Sequence, residues 1–492
     1  MLKKLAGQTA VYGLGTIVSR FLNYLLFPYL TRVMGPGEYG VVTDMYALIP
    51  FVLVVLTMGL ETGYFRFTGK AADEDEKRKV FSSAWGAVLA SGTLFFVAVL
   101  LFLPSIASAM GYADHPSYVA VVAGIVLLDV GTAIPFARLR QQGRALRFVA
   151  LRVLSVAVNL LLTLFFYTVL PFLASHGLCG AMYDPAYGAG YVLVANLVAS
   201  LIVAACFLPM WREAPPRIDR RLLGRIMLYS FPILLSGIAG TANEFIDRQM
   251  IKYLMPASEA MDALGIYGAV AKLAAILVLF TQMYRYAAEP YFLSGFKKDD
   301  FRAANAAAMK YFILVAIGIF LFIALFSDLF ALLMGPDFRE GIGVLPLILL
   351  ANVCIGITLN LSFWYKQTGR TQYALWITGT GLLVTVLLNV LLVPRFGYAG
   401  AAWARLVCEA VMVAVSYALC RRFYPVPYDL RRIGAYFLVG AAVFGCSRLT
   451  AMWPPAAEYA ANLLLLIGFG FFAVRCEKID VKALFGTILK KR

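Results

Sequence analysis

A chain of 492 residues that is 62% apolar, only 14% charged and +0.80 in mean hydropathy is excluded from the soluble globular class. Its net charge of +16 would suit nucleic acid, yet the basic residues are spread along the chain in a pattern that needs no polyanion. Seven Cys (179, 206, 354, 408, 420, 446, 476) have neither metal-like nor disulfide-like spacing, and the two His, His115 and His176, fall in predicted loops. No metal and no cofactor are expected.

In chain order, Lys3 and Lys4 precede an apolar run that resembles a signal peptide. It carries Arg20 and no small-residue cleavage site, and is therefore read as an uncleaved first span. Apolar runs long enough for a ~30 Å hydrocarbon core then recur to the end: 9–30, 41–64, 81–103, 117–137, 148–172, 188–210, 225–250, 264–284, 306–330, 341–364, 373–393, 399–420, 433–450 and 457–474. With both termini cytoplasmic, most Lys and Arg fall on inside connections. Arg32, Lys252, Arg339, Arg395 and Arg448 fall outside, and Arg20, Arg248, Lys272 and Arg405 within spans. All six Trp lie near span ends, as an aromatic belt requires.

The connections are short. Asp73–Lys79 (DEDEKRK) reads as a solvated turn, and Trp211–Gly224 (WREAPPRIDRRLLG) has a linker's composition. The expected domains are a first six-helix bundle (1–210), a cytoplasmic linker (211–224), a second six-helix bundle (225–420), and two extra helices with a basic tail (421–492). Repetition supports the division. Gln141-Gln142-Gly143-Arg144 recurs as Gln367-Thr368-Gly369-Arg370, and the following spans carry Asn159 and Asn389. Met34-Gly35-Pro36 with Tyr39-Gly40 is echoed by Met255-Pro256 with Tyr267-Gly268. Six spans per copy make the halves parallel repeats, with a transport site expected between them. The predicted fold is all-α polytopic: about fourteen transmembrane helices, in two six-helix bundles about a pseudo-twofold axis normal to the membrane, plus two C-terminal helices.

Five stretches carry a family resemblance: TRVMGPGEYG (31–40), LETGYFRF (60–67), EFIDRQMIKYL (244–254), QTGRTQ (367–372) and VPRFGYAGAAWA (393–404). With the span count, the chain resembles the polysaccharide branch of the multidrug/oligosaccharidyl-lipid/polysaccharide exporter superfamily over essentially its whole length. The resemblance implies a flippase in the bacterial inner membrane that moves undecaprenyl-diphosphate-linked oligosaccharide between leaflets by alternating access. It also implies membrane lipids as partners, no nucleic acid, a monomeric protein, and association with polysaccharide-assembly membrane proteins. Relatives that flip lipid II or export organic cations keep those two alternatives open. A polymerase or ligase fits less well, because no long outside segment is present. With no G-x-x-x-x-G-K-[ST], nucleotide hydrolysis in this chain is not expected.

An anionic headgroup needs cations reachable from a cavity. Arg20, with Asn23 on its stripe, and Lys272 have no acid three or four places away; the competing reading pairs each with an acid on a neighbouring helix. Arg248 shares a helix face with Glu244 and Asp247, and either a headgroup or mutual neutralisation accounts for it. Arg66 and Arg285 sit at inside span ends, where snorkelling suffices but a cavity mouth is also possible. Asp129, Glu244 and Asp247 are the candidates for taking up H⁺ or Na⁺ as coupling ion.

Overall fold

A computed structural model describes residues 22, 24–178, 180, 183–293, 298–370, 372–450 and 452–478. Among them the chain is nearly all helical and holds no strand. Twelve segments of the described residues are long and apolar enough to cross a membrane, against the fourteen expected. The expected span 9–30 falls mostly outside the described residues. The expected spans 373–393 and 399–420 run together as one 52-residue helical segment, bent where Gly397 adopts φ +57.

The helices used below are α1 (Pro36–Thr57), α2 (Leu60–Thr68), α3 (Glu74–Leu101), α4 (Pro116–Gln141), α5 (Ala145–Ser175), α6 (Gly190–Cys206), α7 (Arg220–Leu254), α8 (Ala257–Leu293), α9 (Lys298–Leu325), α10 (Leu345–Gln367), α11 (Gln372–Phe423), α12 (Leu430–Thr450) and α13 (Pro455–Glu477). Contacts group them into two compact units. The first holds 1–269 with 335–338 and 378–401; the second holds 270–334, 339–377 and 402–492.

In the first unit α3 packs on α4, α4 and α5 on α6, and α7 on α1 and α2. Trp85, Phe81, Tyr64, Phe136 and Phe207 form its best-buried core, and Trp85 Nε1 donates to Gly131 O at 2.8 Å. In the second unit α9 packs on α10 and α12, and α12 on α13. Burial of a carboxylate in hydrocarbon requires donors, and Glu477 has three: Lys310, Tyr436 and Arg432.

Local chemistry explains the sequence signals. The charge run 73–79 is not a turn but the capped start of α3: Asp73 accepts from Glu76 N–H (2.7 Å) while Glu76 reaches back to Ala72 N–H (2.8 Å). Both Q-x-G-R copies are helix stops. Gly143 (φ +68) and Gly369 (φ +71) end α4 and α10 in the left-handed region, and the next amide bonds five residues back, Arg144 N to Leu139 O (2.9 Å) and Arg370 N to Tyr365 O (2.8 Å). The repeat is therefore a repeated cap.

One further echo escaped the sequence reading. Residues 214–219 (APPRID) run extended and end in Asp219, whose carboxylate accepts from Arg221 N–H (3.0 Å) and Leu222 N–H (3.1 Å) to start α7. Residues 424–429 (YPVPYD) take the same form, and Asp429 accepts from Arg432 N–H (3.1 Å) to start α12. Proline forbids helix in both, and Asp restarts it.

The motif at 31–40 closes the first unit. A Cβ on Gly265 of α8 would lie 1.9 Å from Pro36 O, and one on Gly40 of α1 would lie 2.0 Å from Met261 O. The two backbones touch there, which only glycine permits.

Candidate functional site

The first unit buries two carboxylates, Asp44 and Asp247, and part-buries a third, Asp129, each held from a different helix. Asp44 on α1 is fully buried and accepts three bonds: Gln249 Nε2 (2.9 Å), Tyr112 OH (2.6 Å) and the Lys252 ammonium. Gln249 and Lys252 are three apart on α7 and so share a stripe, which is what brings both to one acid. Lys252 also sits 4.4 Å from the Tyr112 ring centroid. Tyr112 lies in the connection between α3 and α4; burial and the adjacent carboxylate push its hydroxyl well above its ordinary range, so it stays a donor.

Asp247, two positions before Gln249, is also buried and turns instead to α8, where it accepts from Tyr267 OH. Asp129 on α4 accepts from Ser200 Oγ of α6 (2.9 Å). Each acid is thus satisfied by hydroxyl, amide or ammonium donors, as a low-dielectric site demands.

These contacts sort the residues expected from sequence. Lys252, read as an outside residue, is buried in the last turn of α7 against Asp44. Asp44 was missed because its partner stands 208 positions away. Of Glu244, Asp247 and Arg248, Asp247 turns to Tyr267, Arg248 is half-buried, and the Glu244 side chain lies outside the described residues. Arg20 and Asn23 lie outside them as well. Lys272 is exposed on α8. Arg66 stacks on the Tyr229 ring at 3.9 Å. Arg285 meets Glu289 one turn on at 3.1 Å, and Glu289 also accepts from Lys366 (2.6 Å), so Arg285 is held by an acid and not merely by snorkelling. The LETGYFRF motif has a structural role, since its Glu61 pairs with Arg140 at the end of α4.

The helical fold, with no strand among the described residues, has likenesses among solved membrane-protein structures. It is similar to a lipid II flippase, MurJ, in an inward closed conformation (TM-score 0.69, 12% identity, covering 96% of this chain and 100% of that one). It is also similar to a multidrug resistance transporter of the MATE family in the MOP superfamily, inward-facing (TM-score 0.65, 17% identity, 85% and 96% covered). A third likeness is to an outward-facing multidrug resistance transporter of the same MATE family (TM-score 0.59, 16% identity, 87% and 96% covered). Among curated proteins no relative matches. Residues 5–296 match the family described as polysaccharide biosynthesis protein, and the chain belongs to that family.

Proposed function

We propose that the protein is a secondary transporter that flips an undecaprenyl-diphosphate-linked oligosaccharide across the bacterial inner membrane by alternating access, for polysaccharide assembly. The observation that carries this reading is the family match over 5–296, on a fold shared with flippases. The likeness to the lipid II flippase favours one second reading, in which lipid II is the cargo. Reconstitution with fluorescent lipid-linked oligosaccharide, lipid II and a cationic dye separates these. Selective flipping of the oligosaccharide lipid is the expected result, and dye efflux alone overturns it.

Within this reading Arg20 and Lys272 receive the diphosphate. A guanidinium presents a planar fork to phosphate, whereas an ammonium acts as a point charge. Arg20→Lys is therefore expected to impair flipping more than Lys272→Arg, although both preserve charge. Arg20→Ala is expected to insert normally and to be inactive; a functional double variant that lacks Arg20 and an acid partner removes the headgroup role.

Asp129 is the proposed coupling group among the described acids, because it is a carboxylate midway along a span that accepts from a neutral hydroxyl, Ser200. Asp129→Asn keeps an acceptor for Ser200 and is expected to fold while losing gradient-driven transport. Unchanged dependence on pH and Na⁺ gradients in that variant assigns coupling elsewhere.

A further inference from the structure

The connection before α7 crosses the outward face of α3. Arg217 N–H donates to Ser82 O (3.2 Å) and Asp219 N–H to Ser83 Oγ (3.1 Å). At Gly86 the crossing is so close that a Cβ would stand 3.2 Å from Ile218 and 3.3 Å from the Arg217 amide. Two crevices flank it and share Ile218. One, of about 470 Å³, opens toward the start of α3 and is lined by Arg78, Lys79, Arg217 and the two serines. The other, of about 570 Å³, continues along Gly86, Ala90, Leu94 and Val97 under Trp211 and Pro216, and is apolar apart from Thr93.

Three acids also line the charged crevice, and all three are engaged. Glu213 meets Arg138 at 3.1 Å, Asp219 caps α7, and Asp75 faces Arg78 at 3.7 Å. Lys79 and Arg217 form no ion pair among the described residues. A cationic end thus runs directly into an apolar trough. Gly86 to Val97 is about 16 Å of helix at a ~1.5 Å rise, close to half of a ~30 Å hydrocarbon core. Trp211, half-exposed and edge-on to Trp85 at 5.5 Å, stands at the junction where an interfacial ring is favoured.

We propose that this composite groove seats one anionic phospholipid, with its phosphate against Lys79 and Arg217 and one acyl chain along Gly86–Val97. A phospholipid is the occupant because the trough opens where Leu94 is 72% and Val97 45% exposed, on the face that surrounding lipid must cover. The seat is independent of which cargo the protein moves.

The test uses the full-length protein in mild detergent, titrated with phosphatidylglycerol or phosphatidylcholine and followed by native mass spectrometry. One phosphatidylglycerol is expected to be held, and phosphatidylcholine is not. Lys79→Gln with Arg217→Gln is expected to weaken retention about thirty-fold, equivalent to ~2 kcal/mol from two interfacial cations. Ala90→Phe, at an exposed position of α3, fills the trough from outside and is expected to abolish retention with both cations intact. Circular dichroism and monodispersity check that each variant folds; if the double variant does not, Ala90→Phe and a salt titration carry the test, retention falling as salt rises. Equal retention by wild type and variants overturns the seat and leaves ordinary annular lipid. Displacement of phosphatidylglycerol by equimolar undecaprenyl phosphate overturns the occupant and gives the groove to the carrier lipid.

Discussion

Replacing Asp44 with alanine is expected to lower the stability of the first unit by about 3–5 kcal/mol, because it leaves the Lys252 ammonium buried without its counter-charge. Lys252 is only 8% exposed and Asp44 fully buried, so water cannot readily take over from either partner. Gln249 and Tyr112 lose their acceptor in the same step. The apparent melting temperature in detergent, read by fluorescence-detected gel filtration, should fall far below wild type. Lys252→Met should fall similarly, for the mirror reason. Asp44→Leu combined with Lys252→Met should recover most of the loss, since an apolar pair of similar volume is often as stable as a buried ion pair. A single Asp44→Ala with an unchanged melting temperature would mean that Lys252 reaches water, and the pair would then contribute little.

The second large effect is expected at Gly265. Its added Cβ meets the Pro36 carbonyl oxygen at 1.9 Å, and backbone cannot rotate away as a side chain does. Gly265→Ala must push α1 and α8 apart along their contact, at or beyond the upper end of the ~1–3 kcal/mol typical of overpacking. Gly40→Ala should behave alike, with Met261 O at 2.0 Å. Gly35 is the control: it adjoins the same motif, has φ −72 and meets nothing within 4 Å. Gly35→Ala is expected to change stability by no more than ~0.5 kcal/mol. Yield and thermal unfolding of the three variants decide the matter, and a stable Gly265→Ala would refute the close crossing.

Much of the fold was legible because hydropathy acts locally: each span needs only its own run of apolar residues. The charged site was legible only in part. Asp129 and Asp247 stood out as costly residues inside spans; both are bonded, Asp247 buried and Asp129 half-buried. Asp44 and Lys252 escaped notice because each lies near a span end, where charge is cheap, and the bond that joins them is set by packing of α1 on α7. Along the stretch 244–254, Asp247 reaches Tyr267 while Gln249 and Lys252 reach Asp44, partners that no local spacing announces. Motifs that carried the resemblance proved to be a glycine contact at 31–40, a cap at 367–370 and internal polar pairings at Glu61 and 247–252, which explains how they identify an architecture without naming a cargo.

The two proline elbows bear on ancestry. Counting from one cap to the next, the first half spends more chain between Arg144 and Asp219 than the second does between Arg370 and Asp429. The surplus coincides with the connection between α5 and α6, where the second half simply bends at Gly397. An ancestral gene segment that was copied together with its terminal joint would leave this imprint: two hinges of the same make, and length change confined to one hairpin tip. α12 is then attached to the second half by the device that attaches α7 to the first.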